Sequence, residues 1–320
     1  HPDGSVASSA NVDGSVVVGF GTNDFQYATA FRWTQSTGLV SLDDIDAEPN
    51  TTSFSNDVSD DGMVVAIQAG FRGNGPGMFV GEAARWTLAS GLTPLGHLPG
   101  GDYSFSNAVS ADGSVIVGGS TVTGGGYHTF RWTQATGMVS LGDVPGGEEF
   151  SYAQDISSDG TIVVGSCANE TGRFAMRWTQ ATGMISLGGL PGGGRAGFDS
   201  AASAVSDDGN TIVGIANFTG TFGYDTDAFI WTPQRGMRYL KDAIMADYCA
   251  PELEGWRLVS AWGISGNGRV IVGEGVNPQG NSEAYIIRLD SGPCRADFNQ
   301  DNFVNSQDFF DFLAAFFAGC

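Results

Sequence analysis

Short apolar runs, each closed by a glycine-containing turn, follow one another along nearly the whole chain. The clearest stretch reads Phe105-Ser106-Asn107-Ala108-Val109-Ser110-Ala111-Asp112-Gly113-Ser114-Val115-Ile116-Val117-Gly118. After a variable loop comes Phe130-Arg131-Trp132-Thr133-Gln134-Ala135-Thr136-Gly137-Met138-Val139-Ser140-Leu141-Gly142. The segment ending in Ala108-Val109-Ser110 predicts a first strand and Ser114 to Val117 a second. Asp112-Gly113 between them is a hairpin signal, with both central residues expected at positive φ. Thr129 to Gln134 predicts a third strand, and Thr136-Gly137 turns it into a fourth, Met138 to Leu141. Pro145-Gly146-Gly147 then breaks the chain. Val, Ile, Phe, Trp and Thr fill these runs, as a packed pleated surface prefers. No helical period appears in the first four such stretches.

The passage recurs. Its Asp-Gly returns at Asp13, Asp61, Asp112, Asp159 and Asp208, and as Asn267-Gly268, at intervals of 47 to 59 residues. Its Trp-Thr returns at Trp33, Trp86, Trp132, Trp178 and Trp231 and degrades to Ile287-Arg288. A period near about 50 residues means a solenoid, a propeller or an array. Four antiparallel strands in each of six copies predict an all-β, six-bladed β-propeller of four-stranded blades. The last blade is expected to be incomplete, because the sixth copy supplies three strands and ends at Ala284-Tyr285-Ile286-Ile287-Arg288-Leu289. Blades covered on both faces explain apolar runs where clean alternation is missing. A parallel β-helix is the second architecture, disfavoured by the tight hairpin inside each copy.

The wording of the repeat resembles the HAF-type extracellular repeat family, whose members carry tandem Ser-x-Asp-Gly-x-x-Val-x-Gly and Phe-Arg-Trp-Thr elements. The likeness runs over about residues 5 to 290. It includes the irregular sixth copy, where Gly255-Trp256-Arg257-Leu258 leads into Ala261-Trp262-Gly263-Ile264-Ser265. The resemblance implies an extracellular repeat protein and brings no general enzymatic activity with it.

Composition narrows the setting. The 320 residues carry a net charge of −21, Lys241 is the one lysine among 14 basic residues, and 49 glycines serve the turns. So acidic a surface repels nucleic acid and anionic lipid. No apolar run approaches the roughly 18 residues that a membrane span needs. The sequence starts at His1 without Met and without a basic-then-apolar leader; a mature chain that has lost its signal peptide begins this way, as does a fragment. Secretion, to the extracellular space or the cell surface, is the expected localisation. The even number of cysteines, Cys167, Cys249, Cys294 and Cys320, then favours disulfides over a zinc knuckle, since no CxxC pair occurs.

The repeat stops after Leu289, which divides the chain into a propeller over 1–291 and a small tail over 292–320. The tail spells an EF-hand-type loop. Asp297, Asn299, Asp301, Asn305 and Asp308 fall at ligand positions 1, 3, 5, 9 and 12, and Phe303 offers its carbonyl at position 7. Hard oxygens at this spacing wrap one Ca²⁺, the expected cofactor. Asn302 stands where glycine is usual and tolerates positive φ better than most residues. The loop resembles a dockerin repeat, which also closes in Asp, and the tail is similar to the short GC-terminated dockerin-like tails of secreted bacterial proteins. One loop is present where a dockerin has two, so cohesin binding does not carry over. Beyond it, Phe309, Phe312, Leu313, Phe316 and Phe317 share one helical face. So short a tail cannot bury that face alone and must dock. Cys294 and Cys320 bracket loop and helix and are expected to pair; Cys167 and Cys249, both placed in variable connections, are the second candidate pair.

Catalytic constellations are missing: there is no Gly-x-Ser-x-Gly and no HExxH. Arg32, Arg85, Arg131 and Arg177 recur at one strand position, which argues for a repeated structural job such as pairing with loop carboxylates between blades. The recurrent tryptophans read as core. The connections between second and third strands vary from copy to copy, and a ligand is expected on that face. Asn50, Asn169 and Asn217 begin N-glycosylation sequons.

Three functions compete. The first is a secreted, non-catalytic structural or surface-assembly protein, a homopolymer or a component of a surface or matrix. It would use the open edge of the last blade at Tyr285, Ile286, Ile287 and Leu289, together with the aromatic tail. The second is an extracellular glycan- or protein-binding module using loop aromatics such as Phe25, Tyr27, Phe71, Phe79, Tyr127, Phe222 and Tyr224. The third is a polysaccharide-active enzyme.

Overall fold

A computed structural model describes residues 4–22, 27–42, 51–72, 79–191, 197–218, 226–248 and 250–289. The chain divides into two compact units, residues 1–171 with 176–186, and residues 172–175 with 187–320.

Every copy of the repeat becomes an antiparallel set of strands. The first gives β1 (Ser5–Ala10), β2 (Val16–Thr22), β3 (Ala28–Thr34) and β4 (Gly38–Ser41). The second gives β5 (Thr51–Val58), β6 (Val64–Arg72), β7 (Phe79–Thr87) and β8 (Gly91–Gly96). The third gives β9 (Ser104–Val109), β10 (Val115–Thr121), β11 (Tyr127–Thr133) and β12 (Gly137–Ser140). The fourth gives β13 (Gly147–Ile156), β14 (Ile162–Asn169), β15 (Gly172–Thr179) and β16 (Gly183–Ser186). The fifth gives β17 (Gly197–Val205), β18 (Ile212–Phe218), β19 (Asp227–Thr232) and β20 (Gly236–Tyr239). A single α-helix among the described residues, α1 (Leu240–Tyr248), and a 3₁₀ turn at Pro251–Leu253 precede β21 (Arg257–Ile264), β22 (Val270–Val276) and β23 (Ser282–Arg288).

The strands form four sheets, which corrects the expectation of six separate blades. Two sheets are four-stranded, β1-β2-β3-β4 and β5-β6-β7-β8, and one is three-stranded, β21-β22-β23. The fourth is a twelve-stranded sheet that takes in β9 to β20. The cause is strand length. β13 and β17 run to 10 and 9 residues, against 6 for β9. Their early residues reach the preceding third strand and bridge to it in parallel, at Tyr127↔Phe150 and at Gly172↔Gly197 and Arg173↔Phe198. The expected C-terminal calcium loop and helix lie outside the described residues, so the architecture stands as all-β in four sheets.

In each unit the core lies between successive copies. Val16, Val18, Ala30 and Leu42 of the first copy pack with Val58, Val65, Ile67, Trp86 and Leu92 of the second. Val64, Ala66, Ala83 and Leu98 of the second pack with Val109, Ile116, Phe130 and Trp132 of the third. Within the other unit, Val213, Ala228, Ile230 and Leu240 pack with Ala261, Ile271, Tyr285 and Ile287. Period-two alternation assigns each strand's odd and even residues to opposite faces. One face, here the trailing face, meets the following copy, and the other, the leading face, meets the preceding one. Both faces of an interior sheet are therefore apolar. Helix α1 adds Leu240, Ala243 and Ile244 to the same core, at the i, i+3, i+4 spacing of one helical face. Asp247 near its end holds Arg235 at 2.6 Å and Arg238 at 2.8 Å, tying the helix to the turn before β20 and to β20 itself.

Candidate functional site

The most regular chemistry sits in the first hairpin of each copy. The expectation of positive φ at both turn residues does not hold: the glycines take it, Gly113 at 70°, and among the described residues Glu149 is the one non-glycine that does. The aspartate works through its side chain instead. In the third copy the Ser110 hydroxyl donates to Asp112 Oδ1 at 2.8 Å, and that oxygen accepts from the Ser114 N–H at 2.9 Å. Ser110 Oγ in turn accepts from the Val115 N–H at 3.0 Å. The same triangle recurs at Ser59/Asp61, Ser157/Asp159, Ser206/Asp208 and Ser265/Asn267. In the first copy Asn11 replaces the serine and its Oδ1 accepts from the Val16 N–H at 2.8 Å. This is why serine stands two places before the aspartate. Hydrogen bonds from Ser114, Ser157 and Ser206 respectively lead the causes that hold Asp112, Asp159 and Asp208 below the usual carboxylate pKa.

The residue between serine and aspartate joins one copy to the next. Asn11 Nδ2 donates to the Asp60 carbonyl, the Asp60 N–H to the Ala111 carbonyl at 3.0 Å, and the Ala111 N–H to the Ser158 carbonyl at 3.0 Å. In the other unit the Asp207 N–H donates to the Gly266 carbonyl at 2.8 Å. The turn glycine is pressed against the preceding copy: a Cβ on Gly113 would lie 2.4 Å from Val64 Cγ2, and one on Gly160 2.8 Å from Val115 Cγ2. Two of the recurrent arginines, Arg32 and Arg131, serve the same junction through a backbone carbonyl and not through the carboxylates expected from the sequence, while among the described residues the Nε atoms of Arg85 and Arg177 are buried without a hydrogen-bond partner. Arg32 Nε donates to the Gly62 carbonyl at 3.1 Å, and Arg131 reaches the Gly160 carbonyl at 3.4 Å. Asp57 is a further link that the sequence did not single out. Its carboxylate accepts from the Ser9 hydroxyl at 2.8 Å and the Val109 N–H at 2.9 Å, so it touches the copies on both sides. Although it keeps some exposed surface, it sits deep in the protein, and burial pushes its pKa up against those hydrogen bonds.

The last sheet departs from this pattern. Among the described residues β23 is bonded on one side only, to β22. Of the residues expected at its edge, Tyr285 and Ile287 point inward and are buried, Leu289 packs partly against the same core, and Ile286 is 65% exposed. Tyr285 donates to the Ser260 carbonyl at 2.6 Å, and burial raises its pKa. Ile286 pairs across the strands with Val272, which is 40% exposed, and Trp262 on β21 is 54% exposed. In the third copy the position matching Val272 is Val117, fully buried. The position matching Trp262 is Asn107, whose amide donates to the Ala153 carbonyl of the following copy at 2.7 Å.

At the variable end of the sheets Tyr127 does not stand alone. It meets Tyr103, Phe105 and Phe150 at ring-centroid distances of 6.3, 6.4 and 6.3 Å, and Tyr152 joins through Phe150 at 5.7 Å. All five rings are half-buried, and the Tyr103 hydroxyl accepts from Gln68 Nε2 at 2.7 Å. Phe105 and Tyr152 occupy the same repeat position, a signal that was available in the sequence. Trp132 and Trp178 are buried as expected, but Trp33 in the first sheet is 38% exposed and its cross-strand neighbour Leu39 46%.

Cys167 lies inside β14 and not in a connection, and it is a free, fully buried thiol whose pKa burial raises to about 12. Its expected partner Cys249 lies outside the described residues, as do Cys294 and Cys320. So do Asp297, Asn299, Asp301, Phe303, Asn305 and Asp308, the docking face Phe309, Phe312, Leu313, Phe316 and Phe317, and the sequon residue Asn50. Asn169 ends β14 and its Oδ1 accepts from the Thr171 N–H and hydroxyl at 2.8 and 2.6 Å; Asn217 lies in β18. Among the described residues no group of three or more His, Cys, Asp or Glu is placed to hold a metal ion, and no helix is long and apolar enough to cross a membrane.

No family model matches the chain, and no curated protein does. Solved structures do. TolB from Acinetobacter baumannii is 13% identical at a TM-score of 0.53, over 87% of this chain and 62% of that one. An oligogalacturonate lyase in complex with manganese is 14% identical at 0.54, over 90% and 75%. Prolyl oligopeptidase B from Galerina marginata is 11% identical at 0.55, over 91% and 43%. The chain thus spans less than two thirds of TolB and of the oligopeptidase. At such identities the likeness shows the fold alone, a β-propeller type of arrangement.

Proposed function

We propose that this chain is a secreted, non-catalytic structural protein that associates with itself. The observation that carries this reading is the three-stranded last sheet, whose outer strand β23 bonds, among the described residues, to one neighbour only and whose Ile286 and Val272 form an exposed apolar pair. An unpaired strand edge beside apolar side chains is a template for another chain. A head-to-tail contact that does not close builds a filament. In this reading the tail loop binds one Ca²⁺ through Asp297, Asn299, Asp301, Asn305 and Asp308, with Cys294 bonded to Cys320. Electron microscopy of the purified full chain, with calcium and then with a chelator, tests it. Extended assemblies are expected with calcium, and isolated particles at every concentration would contradict the reading. Calorimetry on the Asp297→Ala, Asp301→Ala double variant tests the ion site, with loss of Ca²⁺ binding expected.

One observation favours a second reading, an extracellular binding module. The half-buried rings of Tyr103, Phe105, Tyr127, Phe150 and Tyr152 gather at the variable end, beside the one described non-glycine residue at positive φ, Glu149 at 52°. Strained backbone often marks a working site. A glycan array in which Tyr127→Ala removes a signal seen with the wild type would support it.

A further inference from the structure

We propose that Asn267 is a site of spontaneous deamidation, and that the turn between β21 and β22 holds the reaction off for as long as the hairpin stays closed. Five copies carry Asp-Gly at this turn and the sixth carries Asn267-Gly268. An asparagine before glycine is well placed to react with its own backbone, because glycine has no Cβ to obstruct the approach and adopts conformations that other residues avoid. The Gly268 nitrogen bonds to Asn267 Cγ, the Cγ–Nδ2 bond breaks, and the side-chain nitrogen leaves as ammonia with the proton of the Gly268 N–H. Water then opens the imide ring. Cleavage at Cγ leaves an aspartate at position 267. Cleavage at the backbone carbonyl leaves an isoaspartate, whose chain runs on through Cγ. Every reacting atom belongs to residues 267 and 268 or to water.

The other copies carry a charge at this point. Hydrogen bonds from Ser114, Ser157 and Ser206 respectively hold Asp112, Asp159 and Asp208 below the usual carboxylate pKa, so they are ionised at neutral pH, and an ionised carboxylate is a poor electrophile. Asn267 makes the same bonds without the charge. Its Oδ1 accepts from the Ser265 hydroxyl at 2.8 Å and from the Arg269 N–H at 3.0 Å. Those bonds hold the turn closed but leave the amide carbon neutral.

Protection therefore rests on geometry. The Gly268 N–H donates to the Ser265 carbonyl at 2.7 Å. A hydrogen bond is directional, so the nitrogen is aimed at that carbonyl and must leave it before it can turn to Cγ. The turn is also braced by the fifth copy, within the same compact unit. The Asp207 N–H donates to the Gly266 carbonyl at 2.8 Å, and a Cβ on Gly266 would run into the Asp207 carboxylate. Deamidation thus waits on local opening, and its rate follows the fraction of time the hairpin is open. The two products then differ. An aspartate fits the bonds that the other copies make. An isoaspartate puts an extra backbone atom into the turn between Ile264 and Ile271, which are partners across the strands.

The test incubates the purified full chain in mildly alkaline buffer, folded and in guanidinium chloride, and digests it with trypsin. Cleavage after Arg257 and Arg269 releases residues 258–269, so conversion is read by mass in one peptide and the two products are separated by chromatography. The peptide should convert steadily from the denatured chain, and more slowly from the folded chain, on the order of tenfold or more. Ser265→Ala removes a donor to Oδ1 and the acceptor of the Val270 N–H. Its folded chain, checked by its melting curve, should convert about threefold faster than the folded wild type, and at the wild-type rate in denaturant. A denatured chain whose peptide keeps its mass would overturn the site. Equal rates in the folded and denatured wild type, or no acceleration in folded Ser265→Ala, would overturn the control by the turn.

Discussion

The third and sixth copies share their first three strands and the turn between the first two, yet matching positions have opposite fates. Val117 on β10 is fully buried; Val272 on β22, paired in the same way with its neighbour on the third strand, faces solvent. Asn107 spends its amide on the strand of the following copy, and Trp262 at that position lies open. Burial in this chain is therefore set by what lies next to a copy and not by the copy's own sequence. Stability should be concentrated at the junctions, and the faces that lack one should tolerate change.

Glycine replacement breaks this comparison most sharply. Gly113→Ala forces a left-handed backbone on alanine and drives its Cβ into Val64, for a loss of about 3 kcal/mol. Gly14→Ala has nearly the same φ, 71° against 70°, but open space, so only the backbone strain remains, about 1 kcal/mol. Chemical denaturation of both variants decides; equal losses would mean that the junction adds nothing. Next in size, Val117→Ala should cost about 2 kcal/mol and Val272→Ala less than about 0.5 kcal/mol. A smaller contrast is Ser110→Ala, which leaves the buried Val115 N–H without its serine acceptor, at about 1 kcal/mol or more, against a lesser loss for Ser265→Ala beside half-buried Val270.

The acid side of the stability curve sharpens the picture through two opposing signs. Asp112, Asp159 and Asp208 titrate below the ordinary value of 3.8 in the folded chain. Their contribution is present above pH 3.8 and is lost as pH falls through their lowered values. Asp57 is shifted upward, so the folded chain binds its proton first, and lowering pH from neutral through its raised value adds stability. Melting temperature against pH should show Asp57→Asn losing that gain while keeping the fall below pH 3.8, and Asp112→Asn losing part of the fall.

Much of this was legible in the sequence because the repeat is local. Strand positions, the turn glycines and, among the described residues, the three strands of the last copy all follow from short patterns. The number of sheets was not legible, since it depends on how far β13 and β17 run before reaching a neighbour, and Glu148 to Phe150 give no sign of extending a strand. The partner of Arg32 was misjudged because a turn carbonyl carries no mark in a sequence. Cys167 was placed in a connection because β14 continues past Gly165 through small and polar residues. Helix α1 went unread although Leu240, Ala243 and Ile244 have helical spacing. Of the candidate site, the last strand could be located beforehand, but which of its side chains face outward depends on the register with β22.

The central claim, the proposal that the chain associates with itself through its last sheet, meets its most direct test in the mass of the wild-type full chain measured by light scattering across a concentration series with calcium present. The account predicts a weight-average mass that climbs with concentration beyond that of a dimer and returns to the 33.3 kDa of one chain in the Ile286→Glu variant. A mass that stays at one chain throughout would contradict it.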